Sequence, residues 1–226
     1  MSWRIIDMLR CKIRWIAGIV IWLFAVVGYA APKPEVAGYV TRVRGEVVSE
    51  AATGRQPLAL GRVLYLGDRI VTGIDARLEA RMRDGMVITL GEKTEFVVRQ
   101  VAGVTPDKNN SVFELAKGVF RSVTAQTEEK SQPREPCRVE TPVATIGIRG
   151  TELWGGFNLL DAGPSTLDVV MLAGKGVYVE SAATGKRVEL KQPGEGTMVK
   201  GTGQAPTSVK AWGEKKLQAA QRTVAW

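Results

Sequence analysis

The sequence predicts an all-β protein, in which stacked short hairpins form an elongated β-sandwich or a solenoid-like body, with a short C-terminal helix. Three observations point to this class. Short apolar stretches from Val36 to about Val199 are separated by Gly and Asp-Gly turn signals. Residues 77–90 alternate apolar and polar side chains with the period of half-buried strands. Residues 45–56 and 176–187 share one strand–turn–strand pattern around Ala-Ala-Thr-Gly, which indicates repeated hairpins.

The first element along the chain is a targeting segment. Residues 1–14 carry four basic residues and one acidic residue, and an uncharged apolar run extends from Trp15 to Ala31. We predict a signal peptide at residues 1–30 that is cleaved after Ala30. An uncleaved N-terminal membrane anchor is the alternative, because the run is near the shortest length that spans a bilayer. Either interpretation predicts export, with a periplasmic or secreted body.

Composition excludes most enzyme classes. The chain has 226 residues and no histidine, so imidazole acid–base catalysis and His-ligated zinc are excluded. Its two cysteines, Cys11 and Cys137, cannot form a Cys-only metal site. We therefore predict no catalytic residues, no metal and no cofactor. Cys137 lies beside a polar, proline-containing stretch, where either an exposed thiol or a buried free cysteine is consistent with the sequence.

The net charge of +8 falls to +5 when residues 1–30 are removed, since they carry four basic residues and one acidic residue. A surplus of this size can attract anionic polymers, although we favour the interpretation of a soluble surface with scattered arginines. The basic residues form no block and have no interleaved aromatic residues, so nucleic acid is not an expected partner.

The clearest hairpin is predicted at residues 77–90. A two-residue Asp-Gly turn would place the two apolar rows on opposite faces. A three-residue loop, Arg83 to Gly85 with Gly85 in the left-handed conformation, instead makes one apolar face. It pairs Met82 with Met86, Ala80 with Ile88 and Leu78 with Leu90, and we predict this arrangement.

Polar stretches rich in Gly, Pro, Asp and Asn predict loops at residues 102–111, 124–137 and 155–166. The β domain spans residues 36–199, and residues 200–210 form a predicted linker. Residues 211–226 then form a C-terminal helix or tail, whose apolar face is formed by Leu217, Ala220 and Val224. We expect Trp212 and Trp226 to pack either on the β domain or on a partner.

Four segments between residues 36 and 199 resemble the FecR domain family in order and spacing. They are LGDRIVTG (Leu66 to Gly73), FELAKGVFR (Phe113 to Arg121), VETPVATIGIRGTEL (Val139 to Leu153) and VVMLAGKGVYV (Val169 to Val179). The resemblance implies the exported β module of iron-uptake signalling proteins and their stand-alone relatives. Residues 1–14 are too few for the anti-sigma domain of signalling members. We therefore expect the β module without sigma-factor regulation.

The third segment contains the residues that we predict to bind a partner: Thr141, Pro142, Arg149, Gly150, Thr151 and Glu152. Pro142 keeps Thr141 extended, and Gly150 allows a positive φ or a close backbone approach. Arg149 is the one long, positively charged side chain in an otherwise apolar stretch. Its planar guanidinium can bind a carboxylate through two hydrogen bonds. That carboxylate belongs to a partner or to the fold itself, with Glu152 and Asp68 as the internal alternatives. Asp68 is also typical of a turn residue that bonds its own backbone.

These observations predict a non-catalytic, exported interaction module of the cell envelope, acting in signalling or as a scaffolding adaptor. It would bind an envelope or outer-membrane protein through an exposed strand edge. The alternative is a protein that binds the cell wall or an anionic glycan, which an exposed tryptophan on a β face would favour. Membrane contact is expected only through an uncleaved N-terminal segment.

Overall fold

Strands make up 56% of the structure, and one short helix follows them. The computed structural model describes residues 34–51, 54–104, 109–124, 137–161, 163 and 165–226. The strands are β1 (Val36–Arg44), β2 (Val47–Ala51), β3 (Gly54–Pro57), β4 (Val63–Tyr65), β5 (Arg69–Thr72), β6 (Arg77–Met82), β7 (Val87–Leu90), β8 (Glu95–Gln100), β9 (Val112–Lys117), β10 (Val119–Val123), β11 (Cys137–Glu140), β12 (Ala144–Phe157), β13 (Leu167–Ser181), β14 (Arg187–Leu190), β15 (Glu195–Val199) and β16 (Lys210–Ala211), and the helix is α1 (Glu214–Val224). The all-β class with a C-terminal helix is confirmed.

The predicted leader and its apolar run lie outside the described residues. Within the described part of the chain, no helix is both long and apolar enough to cross a membrane.

The strands form one curled sheet with a half-barrel or sandwich-like body. Its main path runs β3-β2-β5-β8-β9-β11-β12-β10-β7-β6-β1-β4. The long strand β12 pairs with β11 through its first half and with β10 through its second half, while β13 pairs along its other edge. β13 in turn carries β14 and β15, and β16 pairs with β15. The curl lets the inward side chains of both wings share one core.

The hairpin of β6 and β7 has the predicted register. Leu78 pairs with Leu90 and Ala80 pairs with Ile88, and all four side chains are buried. The Met82 amide donates to the Met86 carbonyl at 2.8 Å. Gly85 has a φ of 85°, which the three-residue loop requires of its last residue. One apolar row on each strand therefore faces the core.

The two Ala-Ala-Thr-Gly segments both lie in hairpins, but the pairing of the flanking residues differs. In the first, Ala51 pairs with Gly54. In the second, the last strand pair is Glu180 with Arg187, and the Ser181 amide then donates to the Lys186 carbonyl at 2.9 Å. The similarity therefore extends to a strand–turn–strand order and not to one repeated register, which removes the argument for a solenoid.

The predicted loop at residues 155–166 is wrong at its start, because Gly155 and Gly156 belong to β12. A Cβ on Gly155 would lie 2.7 Å from the Phe120 ring, and a Cβ on Gly156 would lie 2.5 Å from Val119 Cγ1. Glycine here permits close packing within a strand and does not mark a turn. Cys137, predicted as the end of a loop, is likewise the first residue of β11.

The residues between β15 and the helix follow the sheet. Residue 211 belongs to β16, and α1 starts at Glu214 after Gly213. The predicted linker at 200–210 is bonded to the β domain, since the Thr207 amide donates to the Met198 carbonyl at 2.8 Å. The chain therefore reaches the helix along the sheet.

Helix α1 packs on the outside of β10, β12 and β13. Its apolar face is the predicted one, with Ala220 and Val224 buried and Leu217 partly buried. This face covers Trp154, whose indole nitrogen donates to Thr223 Oγ1 at 2.9 Å. Trp212 meets the Trp154 ring edge-on with centroids 6.2 Å apart, and the Arg42 guanidinium lies 4.1 Å from the Trp226 ring. Both tail tryptophans therefore contact the β domain.

One ion pair joins α1 to the sheet. Lys216 Nζ lies 2.5 Å from Asp168 Oδ1, and the Asp168 side chain is fully buried. Its second oxygen, Oδ2, has no hydrogen-bond partner among the residues that the structure describes. Burial raises the pKa of Asp168, and the Lys216 amine opposes that shift only in part.

Candidate functional site

The predicted binding segment forms the end of β11, a tight turn and the start of β12. The Thr141 amide donates to the Ala144 carbonyl at 2.9 Å. The Thr141 hydroxyl donates to that carbonyl at 2.8 Å and accepts the Ala144 amide at 3.0 Å. Pro142 is exposed at the tip of the turn. Thr141 therefore stabilises the turn, and Pro142 is the more exposed of the two predicted residues here.

The second part of the segment is an irregular stretch where β12 and β13 lose their regular register between Glu152 and Leu153. Gly150 has a φ of 53°, in the left-handed region. The Thr151 hydroxyl accepts the Gly176 amide at 3.1 Å and lies 2.6 Å from the Arg149 carbonyl. Thr151 is only 2% exposed. Gly150 and Thr151 thus fix the backbone between Arg149 and this irregularity.

Neither internal carboxylate expected for Arg149 binds it. Glu152 pairs with Arg121, whose Nη2 lies 2.8 Å away. Asp68 is buried and accepts the Tyr65 amide at 2.9 Å, which is its predicted role as a turn residue. Arg149 is exposed and has no hydrogen bond or ion pair with any residue in the described ranges. The expectation of an internal salt bridge is therefore wrong for both named partners.

Arg149 borders a pocket of about 300 Å³ on the outer face of β12, β13 and β14. We call it the basic pocket, and its charged lining residues are Arg149, Lys175, Arg187, Lys191 and Glu189. Arg187 pairs with Glu189 at 3.1 Å. Two lysines and Arg149 remain around the opening, and this excess of positive charge suits an anionic group.

Gly147 of the predicted binding segment lies at the floor of the basic pocket, where there is no room for a side chain. The Tyr178 ring lies across Gly147, where a Cβ would overlap the ring atoms. The Arg187 guanidinium covers the other face, 3.7 Å from the ring centroid. The Tyr178 ring is therefore held between the Gly147 backbone and the Arg187 guanidinium, and it positions Arg187 in the pocket.

Of the polar residues that line this pocket, sequence reasoning singled out Arg149 and missed Lys175, Tyr178, Arg187, Glu189 and Lys191. Tyr178 alternates with the buried Val177 and Val179, and this pattern alone could have placed it on the outer face. Lys175 lies within β13, between Gly174 and Gly176.

Trp154 and Tyr178 offer little to a sugar ring. Trp154, the tryptophan of the β domain, is fully buried, whereas an exposed one would favour the glycan alternative. Tyr178 has both ring faces covered, by the Gly147 backbone and by Arg187. Sugar recognition by stacking on either residue is therefore blocked in this structure.

A second concave surface lies at the other end of the sheet. This cleft has a volume of about 650 Å³, and we call it the end cleft. It is lined by residues of β2, β3 and β4 and of the segments that follow β3 and β4, including Ser49, Ala51, Gln56, Leu58, Arg62, Val63 and Asp68. It contains none of the predicted binding residues.

Groups that could support metal chemistry are not assembled in the described residues, where no three Cys, Asp or Glu side chains come close enough to hold an ion.

Cys137 is 8% exposed, and burial raises the pKa of its thiol. We expect native protein carrying Cys11→Ser to react with a disulfide reagent at least about 100-fold more slowly than the same protein in denaturant, because the thiolate is the reactive form. The absorbance change at neutral pH measures both rates. Similar rates in the two conditions would show that the thiol is accessible in the folded protein.

Comparison with known proteins shows what part of the β domain resembles. Residues 68–175 match the family model described as FecR protein, which confirms the predicted resemblance over a narrower range than 36–199. Two crystal structures of a candidate anti-sigma factor from Parabacteroides distasonis align with a TM-score of 0.51 and 16% identity. The alignment covers 66% of this chain and 62% of theirs, so it spans less than two thirds of their length. At this identity the likeness is one of fold. No curated protein matches the chain.

Proposed function

We propose that this chain, whose residues 68–175 match the FecR family, is a non-catalytic interaction module of the cell envelope. Its body lies in the periplasm or outside the cell, and it binds an envelope or outer-membrane protein as a signalling or scaffolding adaptor. The predicted leader at residues 1–30 supports the location. The family match supports a role related to signalling.

One observation carries the proposed binding role. Arg149 is exposed without a partner among the described residues, while Thr141, Thr151 and Glu152 are all bonded within the fold. The fold fixes the backbone around Arg149 and leaves the guanidinium accessible. The planar guanidinium then offers its N–H donors to a ligand in a fixed geometry. A carboxylate on a partner protein fits that geometry, and Lys175 and Lys191 add positive charge beside it.

We expect cross-linking in native envelopes to capture a protein with the wild-type chain, and Arg149→Glu to reduce that capture at least tenfold. The reversal places a negative charge where the partner's carboxylate binds. Quantitative mass spectrometry of the captured proteins measures the change.

Arg81→Glu is the matched control, because Arg81 is also exposed and lies on β6, outside the basic pocket. Thermal unfolding establishes that both variants are folded. If Arg149→Glu captures the same protein as strongly as Arg81→Glu does, the Arg149 site is not the interface.

The positive charge of the basic pocket also favours a second function, which is binding of an anionic wall polymer. Charge attraction of this kind weakens as the Debye length falls from about 10 Å at 0.1 M salt to about 3 Å at 1 M. Release of isolated wall polymer by salt, with retention of the protein partner, separates the two functions.

A further inference from the structure

The end cleft lies where the sheet fails to close. β3 and β4 are the two ends of the main strand path, and in the described residues β3 pairs only with β2 while β4 pairs only with β1. Both strands line the cleft, and residues 58–62 connect them without any pairing between the two. Two free strand edges therefore border one concave space, and unpaired edges are the usual site of strand addition.

The cleft lining matches a neutral, extended polypeptide. Ala51, Leu58 and Val63 provide apolar surface, and the formal charges of the two charged lining residues, Arg62 and Asp68, sum to zero. A row of backbone amides and carbonyls on an added strand would bond the edges of β3 and β4, which a compact small molecule does not do.

Ser49 supplies an independent sign of a missing partner. Its side chain is 6% exposed and lines the cleft, yet its hydroxyl oxygen has no hydrogen-bond partner among the described residues. Buried hydroxyls are normally bonded, so a group that enters the cleft can satisfy this one. At the mouth, Arg62 Nη2 donates to Gln56 Oε1 at 2.7 Å between two exposed side chains, and such a bond can exchange with water to admit a ligand.

We infer that the end cleft accepts an extended segment of another protein, which adds a strand between β3 and β4 and closes the sheet. The segment is uncharged where it enters, with small apolar side chains and a hydroxyl or amide that bonds Ser49. This site is distinct from the basic pocket, so the inference stands whether or not Arg149 binds the partner.

The test uses a panel of capped, uncharged hexapeptides that alternate Val with Ser, Thr or Asn, added to the full chain. At least one peptide is expected to bind with a Kd below about 1 mM and to protect backbone amides of β3 and β4 from hydrogen exchange. The same peptide with alternate amides N-methylated loses one row of donors and is expected to bind at least tenfold more weakly.

Two variants locate the site. Ala51→Trp fills the cleft and is expected to weaken the peptide at least tenfold, since Ala51 is an exposed residue of the lining. Ala182→Trp is the matched control, because Ala182 is exposed and occupies the same place in the second Ala-Ala-Thr-Gly segment. Ser49→Ala removes the hydroxyl without filling the cleft and is expected to weaken the peptides whose hydroxyl or amide bonds Ser49.

The inference is overturned if no peptide of the panel protects β3 and β4 at 5 mM, a concentration above the expected Kd by about fivefold. It is also overturned if the N-methylated peptide binds as well as its parent, or if Ala51→Trp and Ala182→Trp bind alike. Arg149→Glu is expected to bind the peptide as tightly as wild type. This result separates the end cleft from the proposed function of the basic pocket.

Discussion

Replacing Lys216 with Ala is expected to lower the free energy of unfolding at neutral pH by about 3–5 kcal/mol, the usual cost of removing one partner of a buried ion pair. The Asp168 side chain is fully buried, and Lys216 is its ion-pair partner. The second carboxylate oxygen is already without a hydrogen bond, so the variant leaves a buried charge with no partner in the described fold. Chemical denaturation measures the loss.

The loss is expected to depend on pH in a definite direction. Because burial raises the pKa of Asp168 above its value in the unfolded chain, folding favours the protonated acid. The stability from this group is therefore fully present below the unfolded pKa of about 3.9 and is lost as the pH rises through the folded pKa. Without Lys216 the folded pKa rises further, so the variant should be nearly as stable as wild type in acid and much less stable at neutral pH.

Lys215→Ala is the control, since Lys215 is the exposed neighbour on the same helix. Adding Asp168→Asn to Lys216→Ala removes the unpaired charge and should restore part of the stability and abolish its pH dependence. Equal losses in Lys215→Ala and Lys216→Ala at neutral pH would show that the ion pair does not stabilise helix docking.

This ion pair illustrates which parts of the fold the sequence can predict. The register of the β6–β7 hairpin is predictable to the residue, because alternation and an Asp-Gly turn define it within a short stretch. The helical face of α1 follows from local spacing in the same way. The pairing of Asp168 with Lys216 joins residues 48 positions apart, and the meeting of β3 and β4 at the end cleft depends on the curl of the whole sheet. Local patterns carry no information on either.

In the candidate site, too, the sequence predicts the local features and misses those that depend on distant contacts. The sequence indicates the segment from Thr141 to Glu152 and singles out Arg149 within it. It cannot show that Glu152 is taken by Arg121, because these residues meet only when β10 pairs with β12. Tyr178 and Arg187 escape sequence reasoning for the same reason, since their stack over Gly147 forms across three strands. The resemblance located the segment, and the sheet determines which of its side chains remain accessible.

The position of Arg149 depends on glycines across the strand pair, and Gly174→Ala is expected to show this with a loss of about 2–5 kcal/mol in the free energy of unfolding. Gly174 has a φ of 109°, where a side chain is strained. Its Cβ would also meet the Gly150 carbonyl and lie 2.5 Å from Thr151 Cα, both backbone atoms of the binding segment. Thermal or chemical denaturation measures the change.

Gly185→Ala separates the two causes of that loss. Gly185 has a φ of 65°, and no described atom lies within 4 Å of the position that a Cβ would occupy, so its substitution carries the conformational cost alone, about 1–2 kcal/mol. The excess at Gly174 then measures the contact with the backbone next to Arg149. If Gly174→Ala remains folded, relief of that contact must move Gly150 and Thr151, and partner capture through Arg149 should fall although the guanidinium is unchanged. Equal losses at the two glycines, with capture intact, would mean that β13 does not position the arginine.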